Sequence, residues 1–164
     1  MLSLISHRLN RISEVACCFL LLAMTMVVAL QVVCRYLLGA SLTWSEEFAR
    51  FSLVWITFLG GSIALKRRAH MGFQALTTAL PPKARSLTET LTLITIMGFL
   101  SIATLKGFQL AMFNMAQHSP AMGVPMGIVY FAVPTGAVLM LVHVTDQLAT
   151  LVRSFPVQDP WRSR

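Results

Sequence analysis

Residues 35–70 read RYLLGASLTWSEEFARFSLVWITFLGGSIALKRRAH. One apolar segment ends at Arg35-Tyr36, a short polar loop follows, and a second apolar segment opens at Trp44. Glu46, Glu47 and Arg50 sit in the first turns of that second segment. Charges so close to a membrane-length apolar run are expensive in lipid and call for partners. The stretch closes on the basic cluster Lys66, Arg67 and Arg68, which marks the far end of the same segment.

Outward from this stretch, the chain is dominated by apolar runs. Of 164 residues, 56% are hydrophobic and 12% charged, against about 25% charged in a soluble domain. About 20 helical residues cross the hydrocarbon core, and four runs meet that length: residues 15–34, 44–65, 87–105 and 126–144. Each must be helical, because a segment in lipid satisfies its backbone only internally. The expected architecture is a single all-α membrane domain over residues 1–164 with four transmembrane helices. The basic residues behind the net charge of +7 lie beside the apolar runs, which fits membrane flanks better than a nucleic-acid groove binder.

Residues 15–34 follow His7, Arg8 and Arg11. This run is longer than the roughly 7–15 apolar residues of a signal peptide, so an uncleaved anchor is expected. Cys17, Cys18 and Cys34 have no metal spacing and are read as packing residues. The Lys and Arg distribution places both termini and the loop between the second and third spans in the cytoplasm. That loop carries Phe73, Leu76 and Leu80 at helical spacing after a basic cluster, the pattern of a short amphipathic helix on the cytoplasmic surface. The two outward loops then run from Arg35 to Thr43 and from Lys106 to Pro125. Lys106 is expected to snorkel to the outer surface. His118 to Pro125 forms a rigid turn, and Pro134 kinks the fourth span.

Thr43-Trp44-Ser45-Glu46 has the spacing of a capping box. Arg50 lies four residues after Glu46 and three after Glu47, so both can pair with it on one helix. Arg35 is a further candidate partner, which makes Arg35, Glu46, Glu47 and Arg50 the expected structural ion-pair cluster. A helical wheel places Trp44, Phe48, Phe51, Trp55 and Phe58 on an aromatic face suited to lipid or a partner subunit. Glu46, Arg50, Leu53, Thr57, Gly61 and Ala64 fall on the opposite face, which is small and polar and is expected inside the bundle. Gly60 and Gly61 are expected at helix-packing contacts.

No Ser/His/Asp set, phosphate-binding glycine loop or metal-ligand spacing is present, so no catalytic, cofactor or metal site is expected. No acid lies midway along a span, which argues against an autonomous four-span exporter. Histidines facing each other inside the spans, as a haem-binding redox anchor needs, are also missing. These two remain the alternatives to a helper subunit.

Arg35-Tyr36, Trp44, Glu46-Glu47, Arg50, Trp55, Gly60 and His70 resemble the small membrane subunit, the Q or DctQ-like subunit, of tripartite ATP-independent periplasmic (TRAP) transporters. Leu80-Pro81, Ser119-Pro120-Ala121 and the segment from Tyr130 to Pro134-Thr135-Gly136 extend the resemblance over roughly residues 10 to 150. The chain departs at Gln74, where many members carry an acid. The resemblance implies a bacterial inner-membrane protein without enzymatic activity. Its implied partners are a large membrane subunit, which carries substrate and couples it to sodium, and a periplasmic substrate-binding protein that captures an organic acid. The small subunit would brace the large one while a transport domain moves as an elevator. Arg35, Lys106 and His118, on the outward loops, are candidates for docking the binding protein.

Overall fold

The computed structural model describes residues 2–67 and 82–154. The expected surface helix around Phe73, Leu76 and Leu80 lies outside the described residues. Helix α1 spans Leu2–Leu37, α2 Thr43–Lys66 and α3 Pro82–Phe113; a 3-10 turn follows at Asn114–Ala116, then α4 at Met126–Tyr130 and α5 at Ala132–Ser154. The described residues form no named strand, only an isolated bridge between His118 and Pro125. Four helical stretches are long and apolar enough to cross a membrane, the last of them formed by α4 and α5 together. The fold is therefore all-α, as expected, and the chain is a multi-pass membrane protein. Two helices outrun their apolar runs. α1 begins well before Val15, and α3 continues past Lys106 to Phe113.

The helices pack in a row. α1 lies along α2, α2 along α5, and α5 along α3, with only slight contact between α1 and α5. α5 is thus central, and α1 is a flank whose apolar window is open on the outside of the bundle. The α3–α5 seam holds the core, where Leu100, Ala137 and Val144 are buried with Leu65 from α2. Ile96, Met97, Ala103 and Met140 close around them. Bare hydrophobicity does not hold such helices together in lipid, so small residues that allow close approach matter more. Ser6 and Ser13 on α1, and Ser45, Ser52 and Ser62 on α2, are all buried.

Local chemistry explains the turns. α1 ends where Gly39 takes φ 64°. The amides of Leu38 and Ala40 both return to the Cys34 carbonyl at 3.1 and 3.2 Å, a helix stop that needs the left-handed glycine. Residues 118–125 fold on themselves: the Ser119 amide donates to the Val124 carbonyl (2.9 Å) and the Met126 amide to that of Gln117 (2.7 Å). Pro134 breaks the fourth span as expected. The helix is interrupted at Phe131, which turns its ring edge-on to Phe108 at 5.8 Å. The threonines of α3 bond back to their own helix, with Thr88 donating to the Ala84 carbonyl, Thr92 to that of Thr88 and Thr95 to that of Leu91.

The glycine expectation is corrected in part. At Gly60 a Cβ would meet nothing within 4 Å, and at Gly61 only the flexible end of Met140 at 2.7 Å. On α2 the tight approach is that of Gly136, where a Cβ would stand 2.6 Å from Phe58 Cβ and 3.1 Å from the Phe58 carbonyl oxygen; Gly127 packs as tightly on α3, where a Cβ would stand 2.5 Å from the Ala111 carbonyl oxygen. Gly136→Ala is expected to cost about 1–3 kcal/mol by overpacking, read as a lower unfolding temperature in detergent. Gly60→Ala, with open space around it, should leave that temperature unchanged or higher.

Candidate functional site

The polar chemistry of the described residues gathers at the two ends of the bundle. At the end carrying the 37–43 loop and the 114–125 turn, α2 starts one residue earlier than a capping box requires. Leu42 is its N-cap, with no side-chain cap bond, and the Ser45 hydroxyl donates to the Leu42 carbonyl at 2.6 Å. Thr43 is already inside the helix, so the expected Thr43–Glu46 capping box does not form. Glu47 instead reaches across to the 118–125 turn. Its two carboxylate oxygens accept from the Ala121 amide at 3.0 Å and the Met122 amide at 2.9 Å. Gly123 at φ 65° and the Val124 amide, bonded to the Ser119 hydroxyl at 3.2 Å, shape the turn that presents these donors. One carboxylate at a helix start, where the helix dipole favours it, thereby fastens the 118–125 turn to α2.

Glu46 and Arg50 form an ion pair at 4.0 Å, with side chains 60% and 78% exposed. Gln31 of α1 donates to Glu46 at 3.4 Å. The expectation that the Glu46–Arg50 face lies inside the bundle is corrected here: Glu46, Arg50, Leu53, Thr57 and Ala64 are all exposed in this chain. The interior face is the one with Ser45, Ser52, Leu59, Ser62 and Leu65. Beside it, the aromatic residues Phe48, Phe51, Trp55 and Phe58 are half-buried, leaving only Trp44 exposed at 37%. The physical reason is size. Serines and flat rings let α2 sit close between α1 and α5, whereas a guanidinium on that face would force the helices apart. Arg35, exposed in the last turn of α1, pairs with none of the three charges among the described residues. Lys106 and His118 are exposed as well; Lys106 donates to Gln109 at 3.2 Å.

The opposite, basic end holds a polar cluster that the sequence pattern did not reveal. Lys66, in the last turn of α2, pairs with Asp146 of α5 at 3.1 Å, each side chain 15% exposed. The same ammonium donates to the Ser6 hydroxyl of α1. Ser6 and His143 are fully buried, with Ser6 Oγ 2.9 Å from His143 Nδ1. Gln147 donates to the Leu65 carbonyl at 2.7 Å, satisfying a free carbonyl at the end of α2. Arg67 reaches Glu14 at 2.7 Å, which also accepts from Asn10 at 2.8 Å. Three helices distant in sequence are thus joined at one end. The partners lie 60 and 80 residues from Lys66, too far apart for any spacing rule to pair them.

The family model of the DctQ component of the tripartite ATP-independent periplasmic transporters matches residues 24–154, and the chain belongs to that family. A Haemophilus influenzae protein provisionally named a TRAP transporter small permease is 30% identical over 155 residues, covering 92% of this chain and 94% of its own. The sialic acid TRAP transporter small permease protein SiaQ of Vibrio cholerae is 28% identical over 93% of this chain and 88% of its own length. The isethionate TRAP transporter permease protein DctMQ of Oleidesulfovibrio alaskensis is 26% identical over 81% of this chain, a match that takes up 22% of that longer polypeptide. The family is one of transporter permease subunits and not of enzymes.

The basic-end cluster predicts a coupled response. Lys66→Met or Asp146→Asn alone should cost about 3–5 kcal/mol, because each leaves a mostly buried charge without its partner. The double change to Met and Leu should cost much less, as unfolding in a double-mutant cycle would show. Glu47→Gln is expected to speed hydrogen exchange at the Ala121 and Met122 amides while leaving α5 protected.

Proposed function

We propose that this chain is the small scaffold subunit of a TRAP transporter that takes up an organic acid with sodium. It braces the large, elevator-type membrane subunit while substrate arrives on a periplasmic binding protein. The observation that carries the reading is the family match over residues 24–154. The substrates named for relatives, sialic acid, isethionate, C4-dicarboxylate and the zwitterion ectoine, each carry a carboxylate or sulfonate, which supports a substrate class bearing an acid group. The matching segment of the isethionate relative occupies 22% of a single longer permease, which supports physical association with a much larger membrane partner.

The proposed setting is the bacterial inner membrane with both termini cytoplasmic. Lys66, Arg67 and the start of α1 then face the cytoplasm, where the excess of Lys and Arg belongs, and the turn held by Glu47 faces the periplasm. Substrate and sodium are handled by the large subunit. This chain's part is to hold shape, for which a bundle pinned at both ends is suited. The exposed Arg35, Lys106 and His118 lie on the periplasmic side of this arrangement and are the proposed docking points for the binding protein.

Two measurements check the proposal. Affinity purification of this chain co-expressed with the large subunit should recover both at a one-to-one ratio, and uptake into liposomes should require both together with the binding protein. Transport by this chain alone would overturn it. Charge reversal at Arg35 or Lys106 should weaken docking and binding-protein-driven uptake while leaving the two-subunit complex intact; unchanged docking in both variants would remove these residues from the docking surface.

A further inference from the structure

Apart from Trp44 at its start, the exposed residues of α2 follow one stripe. Glu46, Arg50, Leu53, Thr57 and Ala64 are exposed, with Gly60 among them only part-buried. Their steps of four and three residues are those of a helix-packing seam. Among the described residues only Gln31 of α1 reaches the stripe, at Glu46. Arg50 lies seven residues into α2, which starts at Thr43, so its Cα is about 10 Å below the helix end. At that depth a guanidinium facing acyl chains is costly and needs acceptors. Glu46 supplies a pairing of 4.0 Å, too long for a hydrogen bond. Five N–H donors on Arg50 therefore ask for an acceptor outside the chain.

We infer that this stripe is the surface on which the large membrane subunit docks, and that Arg50 pairs there with a carboxylate on one of its helices. The inference rests on the scaffold-subunit reading and adds the face and the chemistry of contact. Charge decides between possible occupants. Acyl chains offer no acceptor at all, and headgroup phosphates, which a side chain leaning toward the start of α2 can approach, leave the small residues Thr57, Gly60 and Ala64 further along the stripe without a use. A second copy related by a two-fold axis along the membrane normal keeps every residue at its own depth, so Arg50 would meet Arg50. A larger helical partner bearing an acid at matching depth satisfies the guanidinium. The small side of the stripe, at Thr57, Gly60 and Ala64, admits such a helix closely.

The test uses the full chain co-expressed with the large subunit. A photo-crosslinking amino acid is placed at Leu53 or Thr57, and Arg50→Ala and Arg50→Lys are compared by co-purification in mild detergent. Crosslinks from both positions to the large subunit are expected. Recovery of the complex should fall roughly three- to twentyfold in Arg50→Ala, the range of polar contacts between membrane helices, and less in Arg50→Lys. Because Arg50 is exposed, the isolated Arg50→Ala chain should unfold at the unaltered temperature. If that chain proves unstable, the crosslinks in the otherwise unaltered chain decide. Co-purification without crosslinks from either position, or crosslinks to a second copy, overturns the proposed face while leaving the subunit reading standing. Failure of the unaltered chain to co-purify overturns both.

Discussion

Hydrocarbon is as apolar as leucine, so membrane helices gain little by hiding leucines from it. The bundle depends instead on polar bonds made between helices where the membrane ends. At the basic end Lys66 ties α2 to α5 through Asp146 and to α1 through Ser6. At the other end Glu47 ties α2 to the turn that precedes the last span. α2 carries both fastenings, which is why the stretch from Arg35 onward organises the chain. Between the ends, close packing takes over, through buried serines on α1 and α2 and through Gly136 against Phe58.

The two clamps differ in chemistry, and the difference follows from what each must hold. Lys66 and Asp146 are mostly buried, where unpaired charge is very costly, so the pair enforces one arrangement of three helices. Glu47 holds backbone amides of a short turn, and a carboxylate can take two at once. The first clamp fixes helices against one another, and the second fixes a loop upon a helix. A subunit proposed to stand still beside a moving partner needs both kinds of restraint.

Much of this was legible in the chain's pattern. Four apolar runs of membrane length gave the helices, Pro134 gave the break in the last span, and the Pro and Gly of 118–125 gave the turn. Local signals were legible because their causes are local. The long-range clamps were not. Nothing near Lys66 points to Asp146, and Ser6 and His143 look like ordinary residues until α1 and α5 meet. A usable signal lay in their position: Lys66 and Asp146 each stand at the same end of an apolar run, at matching depth and of opposite charge. Glu47 was singled out for its charge, yet its partners are backbone amides, which a side-chain pairing rule does not count.

The wheel error on α2 has a physical lesson. Polarity was taken as the mark of the inside, because a charged group in lipid needs company. That premise holds, but the company need not come from the same chain. The bundle buries serines and leucines of α2, half-buries its rings, and turns its guanidinium outward. A sequence that works within a complex carries the pattern of the whole assembly, and a face that is outside one subunit is inside the next. On the proposed docking surface Arg50 lies inside after all, one interface further out than a wheel drawn for a solitary chain would put it. The same argument reads the aromatic residues: half-buried between α2 and its neighbours, they fill the gaps in this chain's own packing and so are the less available to a partner.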